Sequence, residues 1–249
     1  MTTAIPASTR SELAPTGKLR AGINYGNFLL VTKDPAGPRG VAADLARELG
    51  RRAALPVEFV AYEQAGKLAE GVRAGAWDIA FLASEAERAN EIAFTNAYLE
   101  IEATYLVPAG SPIRSIADVD RDGVRIAVAD KSAYDLFLSR TLKRAHLVRA
   151  QGIDGSYKLF VEQKLDVLSG LKPRLLKDVE QLPGARILDG RFTAVQQSIG
   201  TPKARVAAAA YLREFVEGVK AAGFVAESIA RNNVRGVSVA PKASVQGDS

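Results

Sequence analysis

The chain contains no cysteine in 249 residues. That excludes a disulfide scaffold, a thiolate metal site and a cysteine nucleophile, and leaves the redox compartment open. Histidine is nearly absent too. His146, the one histidine, lies in Lys143-Arg144-Ala145-His146 and reads as part of a solvated helix face, which leaves no basis for a histidine metal site or a His-based triad. No EF-hand-like spacing of carboxylates occurs, so neither a metal nor a cofactor is expected. No apolar run approaches the roughly 18–20 residues that a membrane helix needs, and no membrane insertion is expected. The first residues, Met1 to Thr16, lack the cationic start and apolar stretch of a secretory signal.

What remains is an ordinary globular composition, 47% hydrophobic and 24% charged, enough for one large domain or two lobes with separate cores. The formal net charge of +5 raises the question of nucleic acid. The charges are dispersed, however. The densest basic cluster, Arg140 to Arg149, has no interleaved aromatics and reads as the outer face of a helix. Nucleic-acid binding is not expected.

Strand and helix patterns alternate along the chain. Leu19–Ile23, Val57–Tyr62, Asp78–Ala83 and Glu102–Val107 read as strands; Val41–Ala53 and Lys67–Ala74 read as helices between them. Pro108-Ala-Gly-Ser-Pro112 breaks the pattern, and a second alternating series follows. It comprises strands at Val124–Ala129, Leu147–Ala150, Leu165–Ser169 and Arg186–Leu188, with helices near 133–145 (opened by the capping signature Ser132-Ala-Tyr-Asp135), 157–163 and 174–181. Phe192–Ile199 reads as a long strand returning to the first series, and helices at 202–222 and 224–232 are separated by the stop signal Gly223. Such alternation points to parallel sheets with crossover helices. The expected division is a tail at 1–17, lobe 1 at 18–107 plus 197–232, lobe 2 at 108–196, and a disordered tail at 233–249.

The stretch Gly75 to Tyr98 says most about function. The strand ending at Ala83 is followed at once by Ser84, with Glu87 three residues later, the signature of a capped helix start. Arg88 then falls in the first turn, where free backbone N–H groups favour an anion and a guanidinium adds a planar fork of donors. An exposed arginine paired with Glu85 or Glu91 is the simpler alternative for that residue taken alone.

The run Arg88-Ala-Asn-Glu-Ile-Ala-Phe-Thr95 resembles the Arg-x-x-x-Ile-x-Phe-Ser/Thr block of type II periplasmic solute-binding proteins. These are the amino-acid-binding, family 3 type proteins that serve ABC transporters. Pro38-Arg-Gly-Val-Ala-Ala-Asp-Leu-Ala46, Phe94-Thr-Asn-Ala-Tyr98 and Phe215 to Phe224 resemble further blocks in the same order, over roughly Leu19 to Asn232. The resemblance implies an α/β, two-lobed fold with a ligand cleft between lobes and a two-crossing hinge. It implies that Arg88, with Ala83 and Ser84, anchors the ligand carboxylate. The loop Asn24, Tyr25, Asn27 and Phe28 would cover the ligand, Phe28 having the alternative of joining Leu29 and Leu30 in the core. Gln64 and Ala65 would face the same cleft, and Gln197 (with Gln196) would add neutral contacts. Lys131, Ser132 and Ala133 fall where the family grips the carboxylate from lobe 2.

Two departures bear on the ligand. The approach to Arg88 is two residues shorter than in the family. The place of the aspartate that receives an α-ammonium holds Leu171, followed by Lys172. Glu102 is the remaining acid for that role. The expected function is therefore non-catalytic binding of a small carboxylate or amino-acid-like solute, by a monomer that delivers it to an ABC permease. A cyclohexadienyl-dehydratase-like enzyme using Glu63 or Glu102 as an acid stays open, as does a cytoplasmic sensor or scavenger. The resemblance implies a periplasmic location, with a leader that has been removed; a chain complete as given would instead be expected in the cytoplasm.

Overall fold

The computed structural model describes residues 5–242. In chain order the elements are α1 (Ala7–Leu13), β1 (Leu19–Asn24), α2 (Val41–Ala53), β2 (Val57–Tyr62), α3 (Ala65–Glu70), β3 (Ile79–Ala83), β4 (Ile92–Phe94), β5 (Leu99–Val107), β6 (Arg125–Ala129), α4 (Ala133–Thr141), β7 (His146–Ala150), α5 (Gly152–Glu162), β8 (Val167–Leu171), α6 (Lys172–Val179), β9 (Arg186–Ile187), β10 (Thr193–Pro202), α7 (Val206–Ala221), α8 (Phe224–Arg231) and β11 (Val237–Val239). They form two compact units. One takes in the chain up to Tyr62, Lys67–Glu100 and the chain from Gln196 onward; the other is Glu63–Gly66 with Ile101–Val195. The expected boundary at 107 thus falls within β5 at 100, and a short loop, 63–66, groups with the second unit.

In the first unit β1 lies between β2 and β3, all parallel, and β10 runs antiparallel to β3 and β4. All five residues of β3 are buried, the pattern of a strand covered on both faces. The helix α2 follows directly from its sequence. Val41, Leu45 and Leu49 share one buried face, Asp44 sits in the first turn, and Arg51 and Arg52 sit in the last, matching the helix dipole. Gly40 opens it with φ 120°, where an added Cβ would lie 2.3 Å from the Leu30 carbonyl oxygen. Below the sheet Leu68, Trp77, Ala80, Leu82 and Ile92 form one cluster, with the Trp77 indole N–H donating to Leu68 O at 2.9 Å.

In the second unit β6 is flanked by β7 and β8 in parallel, and β5 pairs antiparallel with β8 and β9. Alternate residues of these strands feed two separate cores. Tyr105, Val107, Ile126 and Val167 belong to one, while Leu106, Ala127 and Leu168 belong to the other.

Four expectations are corrected. Residues 7–13, expected within a tail, form α1, and Leu13 is completely buried. Residues 237–239, also expected in a tail, form β11, which pairs with β5; residues 1–4 and 243–249 lie outside the described residues. Ser84 caps no α-helix. Its N–H donates to Gln196 O at 3.0 Å, so strand pairing continues through it, and only a single 3-10 turn, Arg88–Asn90, forms before β4 begins. The basic stretch 140–149 is not one helix face: α4 stops at Thr141, the Asp120 carboxylate accepts from the N–H groups of Lys143, Arg144 and Ala145, and His146 opens β7.

Candidate functional site

Because β1, β2 and β3 are parallel and in register, Asn24 opposite Tyr62 and Gly22 opposite Ala80, their C-terminal ends share one edge of the sheet. Loops leaving such an edge carry ligand-binding groups in open α/β sheets. The loop after β1 is tightly built. Asn24 Oδ1 accepts from Gly26 N–H at 3.0 Å, and the Leu30 and Val31 N–H groups donate to Asn27 O. The Asn27 side chain is buried and its Oδ1 has no hydrogen-bond partner among the described residues. Lys33 Nζ stands 5.1 Å above the Tyr25 ring. Phe28 is half-buried, whereas Leu29, Leu30 and Val31 are buried, so the core takes the three aliphatic residues.

Arg88 leaves the neighbouring strand end. It is 7% exposed, and its Nη1 donates to the Ala83 carbonyl oxygen at 2.9 Å. Burial pushes the guanidinium down to about 10, against the opposing charges of Glu85 and Glu87. Glu91 is engaged elsewhere, by Arg73 at 2.9 Å. Arg88 is therefore not an exposed helix arginine. Opposite Ala83 in the ladder lies Gln197, itself buried, whose backbone oxygen accepts from Tyr98 N–H. The Gln196 side chain donates to Glu100 at 2.8 Å. The structure thus places Ala83, Ser84 and Gln197 at one strand end, with Arg88 buried and bonded to Ala83 O, beside a strand end that carries Asn24, Tyr25, Asn27 and Phe28.

The remaining expected residues belong to the second unit. Gln64 and Ala65 are half-buried at the start of α3. Ser132 caps α4, its hydroxyl accepting from Asp135 N–H at 3.1 Å, and Ala133 is the buried first residue of that helix. The Lys131 N–H donates to Asp135 Oδ2 at 2.8 Å and the Ser132 N–H to Ala129 O at 3.1 Å. At this place, where the resemblance puts a grip on the carboxylate, the N–H groups of Lys131 and Ser132 thus have acceptors inside the unit. Asp135, buried and bonded also by Arg149 Nε, was legible only as the second half of a Ser-x-x-Asp cap.

Leu171 is buried at the start of α6 and offers no acceptor from its side chain. Lys172 Nζ lies 2.8 Å from Glu102 Oε2, and Arg191 Nη1 lies 3.7 Å from Oε1. The bond from Lys172 leads in holding the Glu102 carboxyl below its ordinary value. Arg191 escaped the sequence reading because only strand pairing, seen in Phe192 N–H donating to Ala103 O, brings it beside Glu102. Among the described residues no cluster of three or more His, Asp or Glu is placed to hold a metal, and no helix is long and apolar enough to cross a membrane.

Comparison with solved structures gives the same fold repeatedly. The chain is similar to an arginine-binding protein of T. maritima (P235GK mutant; TM-score 0.73, 19% identity, covering 90% of this chain and 98% of that one). It is similar to a solute receptor for L-cysteine of Neisseria gonorrhoeae (TM-score 0.76, 18% identity, 91% and 95% covered). A third likeness is to the ancestral amino-acid-binding protein AncCDT-1, a precursor of cyclohexadienyl dehydratase (TM-score 0.72, 20% identity, 90% and 98% covered). These likenesses establish the two-lobed type II periplasmic-binding-protein fold. A search by sequence against curated proteins returns no match. The model of the bacterial extracellular solute-binding proteins, family 3, matches residues 19–232, and the chain belongs to that family.

Proposed function

We propose that the chain binds a small carboxylate-bearing, amino-acid-like solute without transforming it and delivers it to an ABC permease. The observation that carries this reading is Arg88, a buried guanidinium held at the strand edge by its bond to Ala83 O, whose planar fork of donors suits a carboxylate. Family membership and the solute-binding proteins among its structural neighbours support it. The same reading disfavours an α-ammonium on the ligand, because Glu102, the acid left to receive it, is bonded by Lys172 and approached by Arg191. Glu102 is equally unsuited to catalysis as a general acid. That role needs a raised pKa, and here it is lowered.

The test is a thermal-shift screen of the purified chain against small mono- and dicarboxylates, the standard amino acids and their deaminated counterparts, since specific binders raise the melting temperature by mass action. Concentration-dependent stabilisation by carboxylates, absent in Arg88→Met, is the expected result. Stabilisation that survives in Arg88→Met would overturn the anchor. Aromatised product from prephenate or arogenate would overturn the non-catalytic reading.

A further inference from the structure

The C-terminal residues do more than end the chain. We propose that residues 237–241 are a brace on the first crossover, a third strand added where the chain passes from one unit to the other. The chain leaves the first unit after Glu100 and re-enters it at Gln196. Close to both points stands Tyr98, wholly buried. Its N–H donates to Gln197 O at 2.8 Å, on the returning strand, and its carbonyl accepts from Ala240 N–H at 3.2 Å. The backbone of the outgoing segment is therefore bonded to the returning strand through its N–H and to the C-terminal segment through its carbonyl. β11 extends the pairing along β5.

A buried cation fastens the same place. The Lys220 side chain on α7 is only 5% exposed, and its ammonium donates to Ala97 O at 3.2 Å, Pro241 O at 2.8 Å and Glu217 Oε1 at 2.9 Å. An ammonium has three donors, and here three acceptors from three separate segments meet it. Glu217 in turn accepts from Asn96 Nδ2 at 3.4 Å. Residues 96–98 are thus tied to α7 and to the C-terminal segment within a few residues of the crossing. A segment that merely covered the core would not need its backbone bonded to the crossover, nor a buried lysine to hold both.

The test is hydrogen exchange followed by mass spectrometry on the full chain, on Lys220→Met, on Ala240→Pro and on a chain ending at Asn233. Lys220→Met keeps the aliphatic packing and removes the donors; Ala240→Pro removes the N–H to Tyr98. In each variant exchange in peptides covering 96–102 and 195–199 should accelerate roughly tenfold, while α2 and β2 keep their protection. Unchanged exchange at 96–102 in both point variants would overturn the brace. Equal acceleration throughout the first unit would overturn it as well, showing the segment to be a general cover of the core.

Discussion

Arg88 donates to the carbonyl oxygen of Ala83, five residues before it, across the single turn that ends β3. The bond fixes the guanidinium against the strand end without neutralising it. A carbonyl oxygen is a neutral acceptor, so this bond holds the guanidinium fork in place while its charge stays intact. Holding the side chain in advance lowers the ordering cost that a ligand carboxylate meets on arrival.

Replacing Arg88 by Met should therefore separate binding from stability. Loss of a charge-assisted pair in a desolvated site costs about 2–4 kcal/mol of binding, enough to remove a micromolar carboxylate from detection. The melting temperature should change far less than affinity does, because Met keeps the aliphatic stem of the side chain packed. Calorimetry with the best carboxylate of the screen, beside a thermal melt of the apo protein, reads both. A variant that loses stability and retains affinity would assign Arg88 to the scaffold.

The pH dependence follows from the same burial. With Arg88 lowered to about 10 in the folded apo protein, the charged form is the binding form below that value. Carboxylate affinity should stay level from about pH 6 to 9 and fall as pH rises through about 10. The stability effect has the opposite sense. The unfolded chain holds its Arg88 proton more tightly, so neutralisation relieves a folded-state penalty as pH rises from about 10 toward the ordinary arginine range. Affinity measured from pH 6 to 10.5 checks the first claim, and a decline centred well below 9 would point to a different binding group.

Local signals in the sequence were accurate where local forces decide. The periodic face of α2 and the apolar run of β2 appear with the limits read from them, and Ser132 caps α4 as its spacing implied. They failed where a distant partner decides. Ser84 carries the same cap signature as Ser132, yet its N–H is taken by Gln196, a residue far along the chain, and the helix does not form. α1 was hidden because its burial comes from α7, where Glu12 accepts from Ala208 N–H and Arg205 donates to Glu12 O. At the site, the block that opens on Arg88 singled out that residue, and the structure finds it buried and bonded to Ala83 O. The pairing of Glu102 with Arg191 was not legible in the sequence, since it rests on tertiary register.

The Lys172–Glu102–Arg191 cluster gives a prediction about ligand class. With Glu102 occupied by two cations, an α-amino acid should bind at least tenfold more weakly than the carboxylate that lacks its amine. In the double variant Lys172→Ala/Arg191→Ala the carboxylate loses both partners, and the preference should narrow or invert. Calorimetry on matched pairs, such as leucine with 4-methylpentanoate, decides the matter. An amino acid that binds the unaltered chain more tightly than its deaminated partner refutes the assignment.

Asp78 offers a stability prediction independent of any ligand. Its side chain is wholly buried, and its carboxylate accepts from Arg20 N–H, Nε and Nη2 at 2.8–3.0 Å and from Arg205 Nη1 at 2.8 Å, joining β1, β3 and the approach to α7. Burial opposes its ionisation, but the bonds from Arg20 and Arg205 outweigh that, and its pKa lies below the ordinary aspartate value. A depressed carboxylate contributes stability that is complete above the unfolded value and is lost as pH falls through the folded one. The stability that Asp78 contributes should therefore largely persist at pH 4 and be lost only below the ordinary aspartate range. Asp78→Ala leaves two arginines facing an empty buried site and should cost about 3–5 kcal/mol, because breaking such a network strands its remaining charges. Urea titration of both proteins at pH 7 and pH 4 checks it. A loss under 1 kcal/mol at pH 7 would mean that solvent, rather than Asp78, satisfies Arg20 and Arg205.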